Sequence, residues 1–155
     1  MNSLIFKRIF MGKIKIFTDG AARGNPGPSA IGVIIEADGS KKTYREFIGY
    51  ATNNEAEYKA LIFALKKVKL IYGKLKSKKL SLECYLDSEL VVKQLNHKYK
   101  VTEENIQKLF LLVWNLSIDF QEVKFFYIPR EKNTEADRLA NLALDEATRA
   151  QSRIF

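Results

Sequence analysis

Hydrophobic positions recur along this chain with two different periods, and the switches between them predict its elements. Ile14–Phe17 alternates weakly in a β-rich run, Ile31–Ile35 is a second apolar run, and Thr43–Ile48 is a third. The stretch AlaArgGlyAsnProGlyPro (22–28) reads as a turn or loop, and AspGlySer (38–40) as a tight connection. Three strands on short loops predict an antiparallel meander. Residues 54–71 change to helical period, with Ala60, Leu61, Ala64, Leu65, Val68 and Ile71 on one face. Residues 80–86 then read as a strand, 88–96 as a short helix and 103–117 as a longer one. Residues 123–128 form a fifth predicted strand, stopped by Pro129, and a last helix runs from Thr134 to about Ala150.

The order βββαβααβα predicts an α/β fold: a mixed five-stranded sheet with helices on its faces. Helical crossovers add strands 4 and 5 in parallel, with right-handed connections. Ligands collect at the carboxyl ends of parallel strands. Two acids are expected at such ends, Asp19 closing strand 1 and Asp87 closing strand 4. Glu57 stands at the start of the first helix and Asp137 at the start of the last.

Each of these acids also has a purely structural explanation. Glu57 follows the potential N-cap Asn54 by three residues, and Asp137 follows Thr134 by three, the spacing of a capping box. Asp87 is suited to cap the helix at Ser88, and Asp19 to stabilise an AspGly turn. The set of four is harder to explain that way. Gathered at one sheet edge, four carboxylates repel and raise one another's pKa values unless cations join them. Magnesium is the expected cation, because it is hard, prefers oxygen ligands and keeps waters and substrate phosphates in its shell. Two such ions can clamp a scissile phosphate. Around Asp19, Gly20, Gly24 and Gly27 are expected to let backbone approach a substrate, with Arg23 and Asn25 meeting sugar or phosphate oxygens.

Composition sharpens this picture. The 155 residues, 46% of them apolar, predict one domain with one core. Lys and Arg number 26 against 18 Asp and Glu, a formal charge of +8 that attracts phosphate backbones. The excess is concentrated in Lys66–Lys79 and Lys93–Lys100. A single cysteine, Cys84, excludes an internal disulfide and a cysteine-rich zinc site, fits a cytoplasmic setting, and is expected in the core. No apolar run reaches the ~18 residues of a membrane span, and the first ten residues are too interrupted for a secretory signal. Trp114, amid LeuPheLeuLeuValTrpAsnLeu, is also expected in the core, and His97 at a helix end or on the surface.

Four blocks carry a resemblance to a known family: ThrAspGlyAlaAlaArgGlyAsnProGlyPro (18–28), AsnAsnGluAlaGluTyrLysAlaLeu (53–61), AspSerGluLeuValValLysGlnLeu (87–95) and ArgGluLysAsnThrGluAlaAspArgLeuAlaAsn (130–141). In this order they resemble type 1 ribonuclease H, in its compact archaeal and bacterial form. The resemblance implies the ribonuclease H-like fold, with strand order 3-2-1-4-5 and the first three strands antiparallel. It implies a D-E-D-D metal site at Asp19, Glu57, Asp87 and Asp137, holding two Mg²⁺ ions when substrate is bound, with Mn²⁺ as a substitute. The implied activity is hydrolysis of the RNA strand of RNA–DNA hybrids, leaving 3′-hydroxyl and 5′-phosphate ends, with double-stranded RNA as an alternative substrate. Asn25 and Asn54 match positions near the scissile site, Thr52 one near the DNA-strand phosphate, and Ser88 follows Asp87 as in the family. Glu89 departs from the neutral residue often found there.

Two departures stand out. Where many bacterial members carry a histidine in a flexible loop, this chain has Arg130 in a short connection. Arginine cannot shuttle a proton at neutral pH, but it can contact phosphate. The long basic handle of those members is missing, with Lys93, Lys98 and Lys100 as a partial replacement. The expected organisation is an N-terminal extension (1–12), a catalytic domain (13–150) and a C-terminal tail (151–155), acting as a cytoplasmic monomer without membrane association.

Overall fold

The computed structural model describes residues 12–154. Most of the expected N-terminal extension, residues 1–11, therefore lies outside the described residues, as does Phe155. Five strands form one sheet: β1 (Lys13–Ala22), β2 (Gly27–Ala37), β3 (Ser40–Ala51), β4 (Ser81–Leu86) and β5 (Glu122–Tyr127). Among the described residues five helices accompany them: α1 (Asn53–Tyr72), α2 (Lys74–Ser77), α3 (Glu89–Leu95), α4 (Glu104–Ser117) and α5 (Thr134–Ile154), with a 3₁₀ turn at Arg130–Lys132. The strand order is β3-β2-β1-β4-β5. β1 pairs antiparallel with β2 and β2 with β3, while β4 runs parallel to both β1 and β5. This is the expected topology. The short α2 and the 3₁₀ turn were not expected from the sequence, and α5 continues to Ile154, into the residues expected as a tail.

Strand alternation builds two packed layers. Ile14, Ile16, Leu82, Cys84 and Leu86 point to the face covered by Tyr58, Leu61, Leu65 and Val68 of α1. α4 packs against α1 from outside. On the other face, Ala30 and Ile34 meet Ala136, Leu139, Ala143 and Leu144 of α5. β2 is thus buried on both faces, which is why its sequence is apolar without alternation. Cys84 lies at the centre, beside Ile16 on β1 and Phe125 on β5, with no exposed surface. No helix among the described residues is long and apolar enough to cross a membrane.

Three expectations change. The loop expected at 22–28 shrinks to a turn at 23–26, since Ala22 still pairs with Ser29 and Gly27 with Ala51. Asp19 consequently does not end β1. The parallel partner β4 stops at the Thr18–Leu86 pair, and β1 continues for four residues on β2 alone. Trp114 is not in the core but 49% exposed, its ring edge-on to His97 at 6.0 Å. α4 rests on one side only, so Ile106 and Val113 fill its inner face while Leu111, Leu112 and Trp114 are left outside.

Candidate metal centre

The site forms where β1 outruns β4. Asp19 is the first residue of β1 beyond the last parallel pair, and Asp87 follows the last residue of β4. Both therefore open toward the gap left by the ended strand. Glu57 comes from above, on the first turns of α1, and Asp137 from α5.

Two glycines bring the helices this close. A Cβ at Gly20 would collide with the Ala56 carbonyl and the Glu57 nitrogen. Without one, the Gly20 N–H donates to Glu57 Oε1 at 3.2 Å. A Cβ at Gly32, the register partner of Asp19, would collide with the Ala136 carbonyl. The residue after Ala136 is Asp137. Gly20 and Gly32 thus set how near Glu57 and Asp137 stand to Asp19.

At α1 and α3, neighbouring residues take over the capping work, leaving Glu57 and Asp87 free of it. Thr52, not Asn54, is the N-cap of α1. Its Oγ1 accepts from the Glu55 N–H at 3.2 Å, and its own N–H donates to Glu55 Oε1 at 3.1 Å, a closed capping box. Asn54 sits in the first turn. Ser88, not Asp87, caps α3 by accepting from the Val91 N–H at 3.2 Å. Asp137 Oδ1 accepts from Asn141 Nδ2 at 3.2 Å, one turn further along α5.

One oxygen from each of Asp19, Glu57 and Asp87 lies within 4.8 Å of the others. Asp19 and Glu57 are only 5% and 6% exposed. Burial, above all, pushes the Asp19 carboxyl far up, and Glu57, Asp87 and Asp137 push the same way. Burial also raises Glu57, with the Asp87 charge adding to it, against the opposing pull of the neighbouring Asp19 carboxyl, the Gly20 amide and the Arg130 charge. Within the protein, Glu57 Oε2 is buried without a hydrogen-bond partner. A crowded, all-carboxylate donor set with an unsatisfied buried oxygen fits a hard divalent cation, which would offset the repulsion and occupy that oxygen. Asp19, Glu57 and Asp87 are placed to hold it, with Asp137 on the Asp19 side.

Asn133 is a member of this site that the sequence reading missed. It is buried, and its Nδ2 donates to the Thr18 carbonyl at 2.8 Å and to Asp87 Oδ2 at 2.9 Å. It ties the branching point of β1, the end of β4 and the start of α5 together. Its only sequence signal was its place inside the fourth motif block.

The other expected residues divide. Arg130 lies on the 3₁₀ turn, with its charge felt at Glu57. Asn25 Oδ1 accepts from the Asn53 N–H at 2.9 Å, joining the β1–β2 turn to α1. Arg23 points elsewhere, pairing with Asp145 at 2.6 Å and reaching the Asn141 carbonyl at 3.4 Å on α5. The loop glycines serve the chain itself: a Cβ at Gly27 would strike the Arg23 carbonyl, and Gly24 adopts φ +106°. His97 is exposed just past the end of α3, with φ +63°.

The chain matches the family described as Reverse transcriptase-like over residues 17–143. It is 39% identical over 142 residues to the Bifunctional protein Rv2228c of Mycobacterium tuberculosis, an alignment covering 89% of this chain and 37% of that protein. It is 37% identical over 138 residues to Ribonuclease HI of Halobacterium salinarum, covering 88% of this chain and 66% of that protein. The chain therefore spans only 37% to 66% of the length of these curated relatives. The crystal structure of LC11-RNase H1 in complex with RNA/DNA hybrid is similar, with a TM-score of 0.82 and 41% identity, covering 87% of this chain and 99% of that one.

Proposed function

Because the chain belongs to the type 1 ribonuclease H family, we propose that it is an endoribonuclease that hydrolyses the RNA strand of RNA–DNA hybrids. The products carry 3′-hydroxyl and 5′-phosphate ends. The observation that carries this reading is the convergence of Asp19, Glu57 and Asp87 oxygens within 4.8 Å. With Asp137 they would hold two Mg²⁺ ions in the presence of substrate, or Mn²⁺ in their place. Bound there, such ions supply Lewis acidity, favouring ionisation of a water and stabilising charge on the leaving oxygen.

The chain's own groups do the positioning. Asp87 is held by the Asn133 amide, Glu57 by the Gly20 amide and Asp137 by the Asn141 amide, so three of the four acids are oriented before substrate arrives. Asn25 and Asn54 offer side-chain amides to the RNA 2′-hydroxyl, which distinguishes RNA from DNA. Thr52 and Ser88 lie at the two helix starts flanking the site and meet backbone phosphates. Arg130 steadies the phosphate. Arg23, although tied to Asp145, is half-exposed and completes the contact on the turn side. The domain comprises residues 13–150 and works as a monomer in the cytoplasm.

The test is cleavage of a matched hybrid, double-stranded RNA and a DNA duplex, each with and without Mg²⁺. Metal-dependent cleavage of the hybrid's RNA strand alone is expected. Cleavage that persists without divalent metal, or at wild-type rate in Asp87→Asn, would overturn the reading.

A further inference from the structure

The entire formal charge of the chain lies in one segment. Between Glu57 and Glu83 there is no acidic residue, and the 25 residues from Tyr58 to Leu82 carry eight lysines: Lys59, Lys66, Lys67, Lys69, Lys74, Lys76, Lys78 and Lys79. Taking these eight from the 26 basic residues leaves 18, matched by the 18 acidic ones. The rest of the molecule is therefore neutral in sum, and the +8 belongs to α1 beyond Glu57, α2 and the turn into β4.

The structure separates these lysines by what they touch. Lys69 pairs with Asp119 at 2.9 Å, Lys67 lies over the rings of Tyr44 and Phe63, and Lys76 over Tyr72. Lys66, Lys74, Lys78 and Lys79 are exposed and form no ion pair among the described residues. Elsewhere, Lys13, Lys41, Lys93, Lys108 and Lys124 have acidic partners, while Lys15, Lys42, Lys98, Lys100 and Lys132 form no ion pair among the described residues but are spread along the chain and not gathered in one run. Lys59 and Lys66 are two turns apart and share one ridge of α1. From Glu57, the helix carries this ridge away from the carboxylates by ~14 Å at Lys66 and ~22 Å at Tyr72. β4 then needs about 20 Å of strand to return from Ser81 to Asp87. The four unpaired lysines thus trail away from the metal centre and end at the opposite pole.

We propose that this surface is a second nucleic-acid contact, which takes the sugar–phosphate backbone of a strand or duplex lying outside the carboxylate site. Its charge complements a polyanion. No arginine occurs between Arg45 and Arg130, so the surface offers rotatable point charges and no rigid forks. That suits repeated phosphates and gives no sequence preference. Leu70 and Leu75, 76% and 81% exposed, are the apolar component, too small a pair to anchor in a bilayer or seat in a protein groove.

The test uses the full chain and a labelled DNA duplex of about 30 base pairs without divalent metal, so it does not depend on cleavage. Fluorescence anisotropy is followed over rising salt for two variants that each remove four charges. K66Q/K74Q/K78Q/K79Q is expected to weaken binding at least tenfold at low salt. It should also reduce the slope of log K against log salt by about 3.6, since each of the four phosphate contacts contributes about 0.9. K15Q/K42Q/K108Q/K124Q is expected to lose much less on both counts. Both should keep wild-type cleavage of a hybrid of about 8 base pairs. Equal losses in the two variants would reduce the effect to net charge, and no loss in the first would remove the surface; either overturns the proposal. Phosphatidylserine vesicles and polyglutamate are run in parallel. A first variant that loses either of these while keeping the duplex also overturns the assignment to nucleic acid.

Discussion

Gly32 lies directly opposite Asp19 in the β1–β2 register, and it is also the point where α5 rests on the sheet. The residue facing this buried acid therefore has no side chain. Ala136 occupies the space, and Asp137 follows it. Gly20 plays the same part on the α1 side, so the spacing of the four carboxylates depends on two glycines flanking Asp19 in space.

Gly32→Ala is accordingly expected to do more than strain the packing. Forcing a methyl against the Ala136 carbonyl should cost about 1–3 kcal/mol, read as a lower urea midpoint. Because α5 must lift, the cleavage rate at a temperature where the variant is fully folded should fall at least tenfold. A stable, fully active variant would show that α5 position does not matter to the site.

Asp87→Asn and Asp19→Asn separate charge from shape. Each amide occupies nearly the volume of its acid, so the fold should persist, while turnover should fall at least a hundredfold with the loss of several kcal/mol of charge stabilisation. Asp19→Asn should raise the melting temperature of the metal-free protein at neutral pH, because the cost of keeping this acid protonated among its neighbours disappears. A lower melting temperature would mean the acids are not repelling one another.

The pH dependence of stability follows from the same crowding. Asp19 and Glu57 both titrate above their ordinary values of 3.8 and 4.5. The folded protein therefore retains protons that the unfolded chain has released. The stability this contributes is complete below those ordinary values and is lost as the pH rises through the raised ones. Calorimetry of metal-free protein between about pH 4 and pH 8 should show this contribution declining relative to Asp19→Asn. Saturating Mg²⁺ should restore it at the neutral end. Parallel curves for the two proteins would reject the account.

Asn133→Ala should leave the Thr18 carbonyl and Asp87 Oδ2 without their donor, at a cost of about 1–3 kcal/mol. The Mg²⁺ concentration for half-maximal cleavage should rise about tenfold, the effect expected when a ligand loses its orienting partner. An unchanged metal requirement beside a lowered stability would confine Asn133 to a structural role.

Much of this was legible in the sequence, because it rests on periodicity. Strand and helix order followed from the alternation at Ile14–Phe17 and the helical spacing from Ala60 to Ile71, and topology followed from the order. What failed depended on choices between local equivalents. ThrAsnAsnGluAlaGlu offers capping boxes in two registers, Thr52 with Glu55 and Asn54 with Glu57, and only the first leaves Glu57 free. β1 was cut short at Asp19 because glycine and proline ahead suggested a loop, whereas pairing with β2 holds it extended to Ala22. Trp114 was assigned to the core because its neighbours are apolar, but a helix covered on one side cannot bury them all. Gly32 and Asn133 were missed because their partners, Ala136 for one and Thr18 for the other, lie more than a hundred residues away.

Cys84 offers a last use of the architecture. Its thiol is shielded on every side, and burial pushes its pKa well above the usual cysteine range. An alkylating reagent in solution meets no thiolate while the sheet is intact. Since it is the chain's one sulfhydryl, its labelling under native conditions becomes a clock for how often the central strands part. Comparing that clock with and without magnesium would measure how firmly the ion keeps the molecule shut.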